Sequence, residues 1–179
     1  MTVSGDVSGY EVALLLLRAV LGLTMAAHGC NKLFGPGGIA GTARWFDSIG
    51  MSPGAFHARV AAGAEIAAGV CLAVGFLMPL AAAGFVSLMV VAVWTVHRGN
   101  GFFVTKDGWE YNLVLAVGAL SVAGTGAGRL SLDYMVFRDT ALWSLLHGWA
   151  ALAIAATLGI VGSFVQLAVF FRPPPRASS

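Results

Sequence analysis

Three short polar motifs interrupt an otherwise apolar chain, and each holds residues able to move protons or bind a polar ligand. His28-Gly-Cys-Asn31-Lys32 closes the first apolar stretch, His97-Arg-Gly-Asn100-Gly closes the third, and Glu110-Tyr-Asn112 opens the fourth. Histidine titrates near neutral pH, so beside a carboxylate such as Glu65 or Glu110 it can pass protons to or from a ligand. Arg18 and Glu65 lie about two turns inside the first and second stretches, counted from opposite ends of the bilayer. Lipid penalises such groups, and an ionisable residue inside a membrane segment points to a site by default.

The elements carrying these residues follow from composition. The 179 residues are 58% hydrophobic and only 10% charged, with a formal net charge of +2, and mean hydropathy is +0.84. So few charges cannot cover so much apolar sequence in water, which makes the fold an all-α integral membrane helical bundle. No basic run or aromatic-basic interleaving points to nucleic acid, and the expected environment is the lipid bilayer of the cell membrane. The N-terminus lacks the basic region of a signal peptide, so the first apolar segment is expected to stay as a span. Cys30 and Cys71 sit at different depths, roughly 15 Å apart along the membrane normal, too far for a disulfide.

Five segments read as membrane helices: about Glu11–Leu33, Ala58–Met78, Leu80–His97, Tyr111–Gly124 and Ala141–Phe171. A crossing needs about 20 residues, so the third and fourth are expected to extend into their loops and the fifth to tilt or project. Pro79 marks a tight hairpin between the second and third. Between Gly35 and His57, the residues Ile39, Ala43, Phe46 and Ile49 recur at helical spacing, with Arg44, Asp47 and Ser48 off that stripe. This predicts a short amphipathic helix at the interface, which as a plain connector needs no further role. Phe102, Phe103 and Trp109 form either an interfacial aromatic belt or part of a lid.

Alternating spans bring the three motifs to one membrane face. Lys32, Arg44, Arg59, Arg98, Lys106, Arg172 and Arg176 belong to that face, whereas Arg129 and Arg138 belong to the other. This asymmetry predicts a cytoplasmic motif face and C-terminus, with the N-terminus outside. Arg18, His28, Asn31 and Lys32 share a helical sector roughly 140° wide. Glu65 is flanked by Ala58, Ala61, Ala62, Ala68 and Gly69, so it is expected to press against the first helix and pair with Arg18. That pair reads either as packing that fixes the helices or as a proton-relay carboxylate. No ligand spacing within one helix supports a metal site from His28, His97 and Glu65, and none is expected.

In order and spacing, these motifs resemble the DoxX family of small bacterial membrane proteins. The resemblance rests on Arg18-Ala-Val-Leu-Gly22, His28 through Gly35, Glu65 with Gly69 and Gly75, and His97 through Phe103. Gly108-Trp-Glu-Tyr-Asn112 and Gly126 through Asp133 complete it, so it covers about residues 11–135. It implies a four-helix membrane core, here residues 1–140, and a loose link to redox systems. Those include the membrane subunits of thiosulfate:quinone oxidoreductases and oxidative-stress complexes. Residues 141–179 depart from the pattern by adding a fifth transmembrane helix and a short Pro/Arg tail. The expected function is an accessory subunit of a membrane redox complex, with no intrinsic cofactor, binding a quinone-like or small sulfur-containing ligand. The candidate ligand or relay residues are Arg18, His28, Asn31, Lys32, Glu65, His97, Asn100 and Glu110, with no catalytic residue assigned. A non-catalytic assembly subunit and a small-solute transporter are the alternatives, the latter disfavoured because no inverted repeat is visible.

Overall fold

A computed structural model describes residues 7–173; Arg176, counted in the charge asymmetry, lies outside them. The described residues form seven α-helices and no strand: α1 (Gly9–Phe34), α2 (Gly38–Ser48), α3 (Gly54–Val74), α4 (Met78–Ala92), α5 (Glu110–Thr125), α6 (Leu132–Phe137) and α7 (Gly148–Phe170). A π-helical turn, Val93–His97, and a 3-10 turn, Arg98–Asn100, prolong α4. Four helices are long and apolar enough to cross a membrane: α1, α3, prolonged α4 and α7. The third span therefore extends as expected. The fourth does not: α5 keeps 16 residues because Trp109 caps its start and Gly126 leaves the helix at its end. That is about 24 Å of helix, with Leu115, Ala119, Val122 and Ala123 buried in the bundle.

The last expected span breaks at its N-terminal end. Ala141–Leu145 is a 3-10 turn, and Gly148, at φ +68°, starts α7 only afterwards. The expected single helix from Ala141 is therefore a 3-10 turn followed by the 23-residue α7. Its buried ridge of Ala151, Ala155, Gly159 and Ser163 packs into the bundle, with Gly159 against Val86 and Ala83 of α4.

Close approach of α1 and α3 sets the register of the site. A Cβ on Gly22 would run into the Gly69 carbonyl, and one on Gly69 would lie 2.6 Å from the Ala26 nitrogen. These glycines let the antiparallel backbones touch, the small-residue packing that membrane helices use. The outer face of α1, with Leu16, Val20 and Leu23 exposed, is left for lipid.

The predicted amphipathic helix is present as α2. Its Phe46 is buried, Ile39, Ala43 and Ile49 pack beside it in a cluster with Met51, Ala58, Val91 and Leu167, and Arg44 and Asp47 face outward. Asp47 also accepts the Gly54 N–H at 2.8 Å, which ties the end of α2 to the start of α3. A bridge from Met51 to Phe171 joins this cap to the end of α7.

Candidate functional site

The first result at the polar positions is a change of partners. Lys32 Nζ donates to Glu65 Oε1 and Oε2 at 2.8 and 2.6 Å, and the two side chains keep 21% and 10% exposure. Gly29, one turn before Lys32, makes this pair: its Cα side meets the Ala62 carbonyl and the Glu65 Cβ, so α3 presses Glu65 under the Lys32 ammonium. Glu65 is pressed against α1 as its alanine-rich surroundings predicted. Its partner, however, is Lys32 and not Arg18. In the antiparallel register Glu65 lies level with Gly29, eleven residues or about 16 Å along α1 from Arg18.

Arg18 belongs to a structural latch near the opposite face. It is 1% exposed, and Nη1 donates to the Ala73 carbonyl at 3.1 Å while Nη2 donates to that of Leu130. Those bonds satisfy a carbonyl in the last turn of α3, where a cation also complements the helix dipole. Asp133, fully buried, accepts the Leu77 and Met78 N–H groups at 2.7 and 3.0 Å and so caps α4. Gly75, at φ +70°, turns the chain between the two helices so closely that a Cβ would strike the Arg18 guanidinium. Across the same face, Glu11 accepts the Arg129 N–H at 2.6 Å. The Gly126–Asp133 motif thus locks the α3–α4 hairpin to α1.

At the motif face, a cavity of about 480 Å³ opens between α1, α3, α4 and α5 beneath α2. Four of the expected residues line it: His28, Lys32, Glu65 and His97. The π-helical turn contributes Thr95, Val96 and His97 to the wall. Such turns recur at functional sites because they re-aim side chains within a helix. His97 Nδ1 is 2.6 Å from the Asp107 carbonyl. A carbonyl only accepts, so Nδ1 donates this bond.

The other four expected residues do not line the cavity. Arg18 is in the latch, and Asn31 is exposed at the end of α1. Asn100 donates to the Asp107 carbonyl at 3.2 Å, and Glu110 accepts the Val104 N–H at 2.9 Å. Both therefore hold the shape of the Arg98–Trp109 loop, whose Val104, Asp107 and Gly108 form part of the wall. The loop's Phe102 packs edge-on against Phe103 and Trp109, at 5.4 and 4.8 Å between ring centroids.

Other lining residues stood outside the expected set, although Asn112 belongs to the Glu110-Tyr-Asn112 motif. Trp45 comes from α2, Asn112 from the first turn of α5, and His57 from the first turn of α3. Asn112 is buried, with Nδ2 3.5 Å from Met89 Sδ. His57 precedes Ala61 and Glu65 at helical spacing, and that periodicity was the signal for it. Among the described residues, no group of three or more His, Cys, Asp or Glu is arranged to hold a metal, and Cys30 and Cys71 are free thiols.

Comparison with known proteins gives the family of the chain. The chain is 30% identical over 129 residues to a Bacillus subtilis protein named "Putative oxidoreductase CatD", covering 72% of this chain and 90% of that one. It is also 30% identical over 136 residues to an uncharacterized protein of Haemophilus influenzae, covering 72% of this chain and 85% of that one. No solved structure matches it. The DoxX family model matches residues 13–98, the stretch from α1 through the π-helical turn that carries every histidine and charged residue of the cavity except Asp107. This chain is a membrane protein of the DoxX family.

Proposed function

We propose that this protein is a membrane-embedded accessory subunit of a redox system in the cell membrane and that its cavity binds a quinone-like ligand. The observation carrying this reading is the Lys32–Glu65 ion pair on the wall of a cavity otherwise lined mainly by apolar side chains. Its volume of about 480 Å³ suits a ring and the start of a hydrocarbon tail. Met25, Val60, Leu88, Val91 and Leu115 offer apolar contact for such a molecule. A small sulfur anion fits less well. Lys32 is the one Lys or Arg among the described lining residues, and Glu65 already neutralises it.

A bound quinone would accept two electrons from a partner redox protein and two protons, becoming a quinol. The chain's own part is to hold the ring and manage the protons. His28 and His97 line the cavity, where an imidazole can exchange protons with a bound ligand. The Lys32 ammonium is a further donor in the wall, with Glu65 holding it in place. The relative's name as an oxidoreductase supports this reading, and the Lys/Arg asymmetry supports a cytoplasmic mouth.

The test is binding of a short-chain quinone to the full chain in lipid nanodiscs, followed by fluorescence of Trp45 in the cavity wall. Saturable binding that weakens in Glu65→Gln, together with slowed quinone reduction in membranes carrying His28→Ala and His97→Ala, is the expected result. A folded protein that binds no quinone, or full function in both histidine variants, would overturn it. A stoichiometric large partner without quinone binding would favour the assembly-subunit reading instead.

A further inference from the structure

The cavity has a second polar wall, which the Lys32–Glu65 pair leaves unused. Ser87 on α4 and Gln166 on α7 both line it and are half-buried. Neither side chain has a hydrogen-bond partner among the described residues, and neither is sealed off: the fully buried atoms without a partner belong to Arg18 and His57. Nearby polar groups on the same two helical segments are already committed. Thr95 and Ser163 donate to the Val91 and Ile160 carbonyls at 2.8 and 2.7 Å, the back-bonding usual for helix hydroxyls. Asn112, the other amide in the wall, donates to Met89 Sδ at 3.5 Å. A half-buried amide or hydroxyl left without a partner costs free energy, and an occupant with a matching oxygen would offset that cost.

Contacts between the helices fix where these two groups stand. The antiparallel helices α3 and α4 close where a Cβ on Gly84 would lie 3.0 Å from that of Ala68. One turn nearer the motif face on each helix, Ser87 comes level with Glu65. Along α7, a Cβ on Gly162 would lie 3.7 Å from Ser87 Oγ. Gln166 follows Gly162 by one turn and lies one turn beneath Phe170, whose ring packs 4.8 Å from that of His57 at the start of α3. Ser87 and Gln166 therefore share the α4–α7 wall and stand within about one turn of the depth of the ion pair from α1 and α3.

We propose that Gln166, with Ser87 one turn below it, binds the second oxygen of a ligand whose first oxygen meets the Lys32 ammonium. The inference rests on the reading that the cavity takes a quinone-like ligand. A quinone oxygen accepts only, whereas a quinol hydroxyl also donates. The Gln166 carboxamide carries both an N–H donor and a carbonyl acceptor, and the Ser87 hydroxyl can do either. This wall therefore serves both redox forms without gaining or losing a proton. It also favours a ring with polar oxygens on opposite sides over an amphiphile with a single polar head. α7 is the helix that departs from the four-helix pattern, and it lies outside the stretch matched by the family model. Its part is then to complete the binding cavity as well as to anchor the chain.

The experiment uses the full chain in lipid nanodiscs with two probes, ubiquinone-1 carrying 13C at one or the other ring carbonyl, and its quinol. Gln166→Leu removes the amide and keeps a side chain of similar size. It is expected to weaken binding of both redox forms by roughly fivefold to tenfold, the loss of one hydrogen bond. In infrared difference spectra one carbonyl band of the bound quinone should return to its position in the free quinone while the other stays. Ser87→Ala should move that same band by a smaller amount. Wild-type affinity in a folded Gln166→Leu, or two unmoved carbonyl bands, overturns this proposal and leaves quinone binding standing. Failure of the wild type to bind either probe overturns both. Where Gln166→Leu does not fold, the carbonyl band in Ser87→Ala decides alone, and an unmoved band overturns the proposal.

Discussion

Removing the Lys32 ammonium tests the ion pair from the stability side. Lys32→Met leaves the stem's apolar contacts in place but strands the Glu65 carboxylate in a site where its side chain is 10% exposed. Breaking a buried pair by deleting one partner costs about 3–5 kcal/mol, and the 21% exposure of Lys32 points to the low end, near 3 kcal/mol. For a chain of this size that corresponds to a fall in Tm of roughly 6–12 °C. Glu65→Gln in the same chain removes the stranded charge, so the double variant should recover most of the loss although the pair is gone. The assay is thermal unfolding of all four proteins in one detergent or nanodisc, read as a double-mutant cycle. A Lys32→Met protein that melts with the wild type, or a double variant less stable than Lys32→Met alone, would refute the assignment of Lys32 as the partner of Glu65.

Gly22→Val and Gly69→Val should abolish the folded protein in membranes, because each places side-chain atoms inside the facing backbone. Gly63→Ala, with nothing within 4 Å of its Cβ position, should express and melt normally. Asp133→Ala removes the acceptor for two N–H groups at the start of α4 and should cost about 2 kcal/mol, seen as a lower Tm and faster proteolysis between α3 and α4. Burial pushes the Asp133 carboxyl above the usual carboxylate range, against the opposing pull of the Met78 and Leu77 N–H groups and of Arg18. Its contribution to stability is therefore present below the ordinary aspartate value of about 3.9 and lost as pH rises through the raised folded value. Asp133→Asn should flatten that part of the stability–pH profile measured by thermal melts. Trp45→Phe should remove most of the fluorescence quenching by a bound quinone while leaving calorimetric affinity within about twofold, since Trp45 reports from the wall and makes no polar bond to it.

Local spacing made much of the scaffold legible. The α2 stripe of Ile39, Ala43, Phe46 and Ile49 is buried where its periodicity placed it, because an amphipathic face has one way to meet an apolar surface. Glu65 among alanines and glycines foretold a carboxylate pressed against a neighbouring helix. Chain alternation placed His28, Lys32 and His97 at one level. The break before α7 was harder to see, since Ala141–Leu146 is as apolar as the helix that follows and only His147-Gly148 interrupts it.

The type of fold, the membrane environment and the gathering of motifs at one end of the bundle follow from composition and helical period, which act residue by residue and need no partner. Which cation meets Glu65 does not. Arg18 and Lys32 share one face of α1, and both satisfy any one-dimensional argument about buried charge. The choice is made by the contacts of Gly22 with Gly69 and of Gly29 with Ala62, which set how far α3 slides along α1. That slide puts Lys32 over Glu65 and sends Arg18 to the end of α3. Register between helices is a property of two surfaces packed together, and neither surface alone contains it.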